Sequence, residues 1–449
     1  MTVNGSAALT SDRTRLTGFV RLARLRFLLY NVLPVGLGVG VAVHAGYPID
    51  IKWYVLAQLF AWVVHVMTHY CNEYYDLDAD RANVYYTPWT GGSRALVDGL
   101  VKPEVSLGTA FVLWAAGGFL VAVMPTTEAR LLGVVTIALA WFYTAPPLKL
   151  NYRGLGELTV AAELNVLWPV VAVVLQVGHV PAMLLAILAP TAVLQVARMM
   201  IMNLGDRVSD SSVGKRTLPV IIGYRPAVAV IIGAQLVAYA MLTLFAYVSW
   251  VPWTVWAAMA ATAPLSAWLA AQLWGGRMRD VNPEAMTPVV FWASNHVSLI
   301  VGAAMLGVLV DAIQGGAQTS GLVILSCVLG AYGLLFGQRL WLAHARALVG
   351  AETGAGAPSS GAAPAPADAA FVDPDAAADL DTAADTHPPE AMSAPEEGPA
   401  GDPAASGVSA SGETPSGDTA NDRKPPAAPR QRSRTGGSAD QRRASKSGA

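Results

Sequence analysis

Ten separate stretches of this sequence stay apolar for about the 20 residues needed to cross the hydrocarbon layer of a bilayer. They run roughly 27–46, 54–72, 105–124, 130–146, 158–178, 181–204, 225–248, 252–274, 288–311 and 321–342. No other feature restricts the fold as much. Backbone amides in lipid must find partners within the protein, which leaves helices as the solution for segments of this length. The fourth stretch is short, and the tenth ends at Gln338 and Arg339. The expected fold is therefore all-α, a polytopic membrane helical bundle of nine to ten transmembrane helices. The composition agrees, with 54% hydrophobic and 13% charged residues. A soluble domain carries about 25% charged residues, so an ordinary soluble fold is excluded.

The basic residues set the topology. Residues 1–26 are polar and hold Arg13, Arg15, Arg21, Arg24 and Arg26, and no good small-residue cleavage site follows. The first apolar stretch is thus read as a retained helix rather than a signal peptide. Arg94 and Lys102 follow the second stretch, Lys149 and Arg153 the fourth, Arg207, Lys215, Arg216 and Arg225 the sixth, and Arg277 and Arg279 the eighth. The positive-inside bias places the N-terminal segment 1–26 and every even-numbered connection in the cytoplasm, with the plasma membrane as the expected location. Residues 27–345 then form the transmembrane domain. From about 350 to 449 the sequence turns to Ala, Pro, Gly, Ser, Asp and Thr, which bury too little apolar surface to offset chain entropy. A disordered C-terminal tail is expected there. The net charge of -2 carries no nucleic-acid signature. Cys71 and Cys327 are too few for a disulfide framework and sit in or beside apolar runs, where burial is expected.

Carboxylates at the membrane boundary are costly and demand a reason. Two clusters of them stand out. The first is Asn72-Glu73-Tyr74-Tyr75-Asp76-Leu77-Asp78-Ala79-Asp80, at the end of the second stretch. A helical turn of 100° per residue puts Asn72, Asp76 and Asp80 on one face, with His69 and His65 behind them. The second is Asn203-Leu204-Gly205-Asp206-Arg207-Val208-Ser209-Asp210, at the end of the sixth stretch, where Asn203, Asp206 and Asp210 share a face. Hard oxygen ligands so spaced suit Mg²⁺, which bridges readily to phosphate oxygens. Two facing clusters would hold metal around one diphosphate and stabilise it as a leaving group.

Bases flank the acids, as a polyanion site requires. Gly91-Gly92-Ser93-Arg94 follows the first cluster and Gly214-Lys215-Arg216-Thr217 the second. Tyr143-Thr144-Ala145-Pro146-Pro147-Leu148-Lys149 and Tyr152-Arg153 lie between them. Arg198 sits about two turns inside the sixth stretch and needs an anionic partner, either a ligand in a pocket or Glu163. Asn295 and His296 in the ninth stretch are read as helix-to-helix hydrogen bonds or acceptor contacts. His65 and His69 are spaced for zinc on a helix, but without an evident third ligand they are read as pocket lining or helix bonding. Trp62, Trp89, Trp141, Phe142 and Trp168 are candidates to line a carbocation path or to sit at the membrane interface.

At this point the chain resembles the UbiA superfamily of intramembrane prenyltransferases, over about residues 20–311. Two Asp-rich motifs after the second and sixth helices and a Tyr/Lys segment after the fourth carry the likeness. Glu73 stands where the family's first motif usually has Asp, and Tyr143 and Lys149 are spaced more widely than is usual. The resemblance implies that Asn72, Asp76 and Asp80 bind one Mg²⁺ and Asp206 and Asp210 another. It makes Asp76, Asp80, Asp206, Asp210 and Tyr143 the catalytic candidates. The substrate-binding candidates are Asn72, Arg94, Lys149, Arg153, Arg198, Asn203 and Lys215. Thr87-Pro88-Trp89-Thr90-Gly91-Gly92-Ser93, Tyr152-Arg153-Gly154-Leu155-Gly156-Glu157 and Gly214-Lys215-Arg216-Thr217-Leu218 are most similar to the 1,4-dihydroxy-2-naphthoate polyprenyltransferases of menaquinone biosynthesis. The expected partners are a polyprenyl diphosphate, an aromatic acceptor and the bilayer, with no nucleic acid. Related acceptors are homogentisate, 4-hydroxybenzoate, a tetrapyrrole, or a sugar or glycerol phosphate. A cation or proton-coupled transporter is the rival from another class, but its acids would lie near the midplane, whereas these cluster at one face.

Overall fold

The computed structural model describes the backbone of residues 12–352 and the side chains of residues 15–341. The tail expected over 350–449 lies outside the described residues, apart from its first three positions, which are helical. Among the described residues the structure is helical without strands, and nine helical segments are long and apolar enough to cross a membrane.

The order is α1 (Asp12–Leu22), a 3₁₀ turn (Leu25–Asn31), α2 (Val32–His44), α3 (Ile51–Tyr75), α4 (Leu77–Ala82), α5 (Pro103–Ala122) and α6 (Thr127–Phe142). Then come α7 (Gly156–Ala162), a π-helical turn (Glu163–Leu167), α8 (Trp168–Val177), α9 (Ala182–Ser212), α10 (Leu218–Ile222) and α11 (Tyr224–Tyr247). The chain continues through α12 (Trp253–Ala260), α13 (Ala263–Trp274), α14 (Pro283–Gln314) and α15 (Thr319–Glu352). Local chemistry sets several of these starts. Asp50 accepts from the Trp53 amide and Thr126 from the Ala129 amide, while Pro103 and Pro283 open α5 and α14. Each satisfies or removes a donor that a helix start leaves orphaned.

The apolar pattern sorts the helices by depth. Every residue from Leu33 to Val43 of α2 is buried, as are Trp168 to Leu175 of α8. These two, with α9 and α14, fill the interior, while α5, α11, α13 and α15 turn much of their surface outward. Lipid offers no hydrophobic drive for helix pairing, so close backbone approach carries more of the association. Gly38 shows it: a Cβ there would overlap the Pro169 carbonyl of α8.

All ten stretches read from the sequence are helical, and α6 explains why the count falls between nine and ten. At 16 residues it is about 24 Å long, shorter than the other spans. It nonetheless runs from one end of the bundle to the other. Asn151, beyond its C-terminus, lies beside Asp76, beyond that of α3. Two helix boundaries differ from expectation. Helix α9 continues to Ser212 rather than stopping near 204, because its polar last turns leave the apolar interior yet stay hydrogen-bonded within the helix. Helix α15 reaches Glu352, past the expected limit of the transmembrane domain at 345. Cys71 is buried as expected, but Cys327 is exposed on the outer face of α15.

Candidate active site

The two acidic clusters meet at one end of the bundle. Helix α3 stops at Tyr75, Asp76 caps it, and α4 restarts at once, so the expected helical face is broken but not lost. Asn72 Nδ2 donates to Asp76 Oδ2 at 2.7 Å, and the Asp80 amide donates to the Asp76 carbonyl at 2.9 Å. On the other side, the extension of α9 carries Asp206 and Asp210. Two contacts bridge the clusters. Asn83 Nδ2, from the loop after α4, donates to Asp206 Oδ1 at 2.7 Å. Lys215 Nζ lies 3.1 Å from Asp76 Oδ2 and 3.3 Å from Asp210 Oδ1. Asn151 Nδ2, from beyond α6, supports the first cluster, 3.3 Å from both Asp76 oxygens.

The electrostatics follow from that crowding. Burial, reinforced by the charges of Glu73 and Asp76, pushes the Asp80 carboxyl up to about 7 against the pull of Arg24 and Lys215. Burial works against the Lys215 ammonium, but Asp210 and Asp76 outweigh it and hold its pKa well above the ordinary lysine range. A cation between two carboxylates is what stabilises this arrangement. The donor set suits Mg²⁺, since it consists of carboxylate and amide oxygens. One of them, Asp210 Oδ2, is buried with no hydrogen-bond partner among the described residues. No three His, Cys, Asp or Glu side chains among the described residues close on one point.

A loop folds over the first cluster. Thr87 and Thr90 lock its turn by a hydroxyl pair 3.0 Å apart. Gly92, at φ 75°, then brings the backbone so close that a Cβ would overlap Asp80 Oδ2. Arg94 donates to the Asp80 and Asn83 carbonyls and lies 4.5 Å above the Tyr86 ring. Glu73, the departure from the usual motif, is buried, close enough to Asp80 for its charge to raise that carboxyl. It accepts from Arg24 Nε at 2.7 Å, from the Ser93 amide at 2.6 Å and from Ser93 Oγ at 2.8 Å. It therefore ties the N-terminal segment, α3 and the loop together.

The remaining candidates separate by position. Lys149, with left-handed backbone, places Nζ 4.6 Å from the Tyr152 ring centroid, and Lys215 approaches the same ring at 5.8 Å. Arg153 is exposed and donates to the Pro147 carbonyl, away from the acids. Asn203 donates to Glu157 Oε1 at 2.8 Å, and that carboxylate also accepts from the Leu218 amide at 2.9 Å. Tyr143 lines an inner cavity of about 140 Å³ with Asn72, His65, His69, Glu163 and Arg198. Glu163 and Arg198 form no ion pair, so the intramolecular partner considered for Arg198 is not Glu163. His65 takes a 3.2 Å hydrogen bond with Asn31, and His69 bonds the Ala23 carbonyl at 2.8 Å. His296 bonds Tyr239 of α11 at 3.0 Å, and Asn295 donates to Phe291 of its own helix. The aromatic residues split. Trp89 and Trp168 line the inner cavity, Trp141 and Phe142 an outer apolar groove of about 560 Å³, and Trp62 lies exposed at 37%. Toward the polar end, a cleft of about 770 Å³ between α1 and the loop is lined by Arg21, Arg24, Arg26 and Arg94.

Sequence reasoning missed Asn83, Asn151 and the anchoring by Glu157. Neutral amides raise no alarm at a membrane boundary, and only the adjacency of Asn151 to the Tyr/Lys segment pointed its way.

A family model described as the UbiA prenyltransferase family matches residues 31–295, more than half of the chain. A 1,4-dihydroxy-2-naphthoate octaprenyltransferase from Bacillus subtilis (strain 168) is 26% identical over 223 residues, covering 49% of this chain and 70% of that protein. The UbiA prenyltransferase domain-containing protein 1 of Gallus gallus is 25% identical, covering 47% and 63%. Among solved structures, a UbiA homolog from Aeropyrum pernix K1 aligns with TM-score 0.49 at 21% identity, over 64% of this chain and 98% of that one. A UbiA homolog from Archaeoglobus fulgidus bound to DMAPP and Mg²⁺ aligns with TM-score 0.47 at 16% identity, over 64% and 98%.

Proposed function

This chain belongs to the UbiA prenyltransferase family, a membrane-embedded prenyltransferase, and we propose that it transfers a polyprenyl group to an aromatic acceptor, with 1,4-dihydroxy-2-naphthoate first among the acceptors. The observation that carries this reading is the meeting of Asp76, Asp80, Asp206 and Asp210 around Lys215 at one end of the bundle. The named relative from Bacillus subtilis supports the choice of acceptor. The run of basic residues at that end supports a cytoplasmic active site.

Asp76 and Asp80 from one side, and Asp206 and Asp210 from the other, would hold Mg²⁺. When bound, it supplies Lewis-acid stabilisation of the diphosphate as a leaving group. The protein's own groups do the rest. Lys215, held between the two clusters, donates to a diphosphate oxygen, and Lys149, over the same Tyr152 ring, stands near enough to join it. Arg94 and Gly92 keep the loop pressed on Asp80, so the acids meet the diphosphate without reorganising. Tyr143 and Trp89 face the cavity in which the allylic C1–O bond breaks. The acceptor ring carbon bonds to C1, and its proton leaves to a nearby base or to the diphosphate. Holding the two substrates in line supplies much of the rate.

The test is incubation of membranes containing the full chain with Mg²⁺, a labelled polyprenyl diphosphate and a panel of acceptors. Prenylated 1,4-dihydroxy-2-naphthoate, or the prenylated naphthoquinol that remains when its carboxylate departs as CO2, is the expected product, lost in Asp76→Ala and Asp206→Ala. Absence of a Mg²⁺-dependent product with every acceptor, or full activity in both variants, would sink the reading.

A further inference from the structure

The inner cavity next to Asn72 and Tyr143 contains chemistry that diphosphate binding does not use. The chain between α7 and α8 forms a π-helical turn, Glu163–Leu167, in which the Trp168 amide reaches back five residues to the Glu163 carbonyl. Such turns insert a residue into a helix and recur at functional sites because they re-aim side chains. Here the turn buries Glu163 and Asn165, exposed by only 7% and 3%. Glu163 Oε1 has no hydrogen-bond partner among the described residues, and neither has Asn165 Nδ2.

Arg198 of α9 faces the same cavity, 6% exposed. Its guanidinium bonds the Tyr30 side chain, 5.0 Å from that ring's centroid, and its Nη1 approaches Met199 Sδ at 3.9 Å. Its Nε has no hydrogen-bond partner, and no carboxylate lies within ion-pair distance among the described residues. A narrow extension on the other side of Arg198 is lined by Asn165 and Gln195, whose Nε2 is likewise unpaired. Leaving buried polar groups unsatisfied costs about 1–3 kcal/mol apiece, more for charged ones. A carboxylate acceptor and a guanidinium donor that share a cavity, yet do not bond each other, are set to bond opposite ends of something between them. The flanking surfaces are flat and aromatic, from Tyr30, Trp89 and Trp168.

We propose that this cavity is the acceptor site and that it selects a hydroxylated aromatic carboxylic acid, with Arg198 holding the carboxylate and Glu163 the hydroxyl. This rests on the reading of the chain as a prenyltransferase acting on an aromatic ring. Asn72 and Tyr143 border both this cavity and the acidic cluster, so a ring bound here lies beside the carbon released from diphosphate. Arg198 pairs with the carboxylate as a planar fork. Glu163 accepts from the hydroxyl and so fixes which ring edge faces that carbon.

The full-length enzyme in membranes would be assayed with Mg²⁺, a polyprenyl diphosphate and two acceptors, 1,4-dihydroxy-2-naphthoate and 1,4-dihydroxynaphthalene. The wild type should favour the acid by at least about tenfold in kcat/KM, the lower end of what leaving one buried site polar group unpaired costs. Arg198→Gln should bring that ratio near one by raising KM for the acid. Glu163→Leu should lower kcat/KM for both acceptors by a similar factor, about tenfold or more, and leave KM for the prenyl diphosphate within about twofold. An unchanged acid preference in Arg198→Gln overturns the site, as does a rise confined to the KM of the prenyl diphosphate, which would move Arg198 to the donor. Inhibition of the wild type gives a check that needs no variant to fold. There 1-hydroxy-2-naphthoate should act at about a tenth of the concentration of 1-naphthol, and equal potency overturns the proposal. Wild-type membranes that prenylate no acceptor would overturn the function and this site together, whereas turnover without the acid preference overturns the site alone.

Discussion

At the scale of single residues, the site depends on backbone as much as on charge. Gly92 is held at φ 75° with its missing Cβ directed at Asp80 Oδ2. Gly92→Ala therefore adds left-handed strain of about 1–2 kcal/mol and displaces a proposed metal ligand. A misplacement near 1 Å costs on the order of 100-fold in rate. The variant should insert into membranes at wild-type levels yet lose about that factor in Mg²⁺-dependent prenyl transfer, measured with saturating acceptor. Activity within twofold of wild type would show that Asp80 does not need its observed place. The acids themselves were legible in the sequence, because an unpaired carboxylate beside lipid is expensive and seldom idle. What held them was not legible. Lys215 bonds Asp76 across 139 positions of the chain, and no local pattern announces a contact of that range. The departure at Glu73 has a physical account as well: Arg24 and two groups of Ser93 engage it, so its work is anchoring rather than joining Asp76 and Asp80.

Among the secondary elements, α6 and the π-helical turn were the hardest to read. Both departures are small in sequence terms: a span a few residues short, and one extra residue inside an apolar run. Hydrophobic periodicity resolves neither. For α6 the structure makes a definite claim, because Asn151 beside Asp76 requires an even number of crossings between the ends of α3 and α6. Single cysteines test it in a Cys71→Ala, Cys327→Ser background. Leu148→Cys after α6 and Ser212→Cys at the end of α9 are both exposed positions and should react with a membrane-impermeant maleimide from the same side. Thr127→Cys, exposed at the start of α6, should react only from the other side. Labelling of all three from one side would make α5 and α6 re-entrant, and labelling of Leu148→Cys from the side opposite to Ser212→Cys would detach Asn151 from the site.

Over the whole molecule, the acidic end is a keystone between two runs of helices. Asp76 and Asp80 end the path through α1 to α4, and Asp206 and Asp210 end α9. The contacts across this gap come from Asn83 and Lys215. Like charges held together in a buried place oppose folding unless a cation joins them. Ligands that bind only the assembled end should therefore stabilise the entire bundle, by about 2.7 kcal/mol when present at 100 times their Kd. In detergent, Mg²⁺ with inorganic pyrophosphate should raise the thermal unfolding midpoint of the wild type by several degrees, and Mg²⁺ or pyrophosphate alone by less. The Asp76→Asn, Asp206→Asn double variant removes one acid from each side. Its midpoint without ligand should fall, since the buried Lys215 loses one of its two carboxylate partners, and it should no longer rise when the pair is added. An undiminished rise in that variant would mean that the two clusters do not act on one diphosphate, however close the bundle brings them.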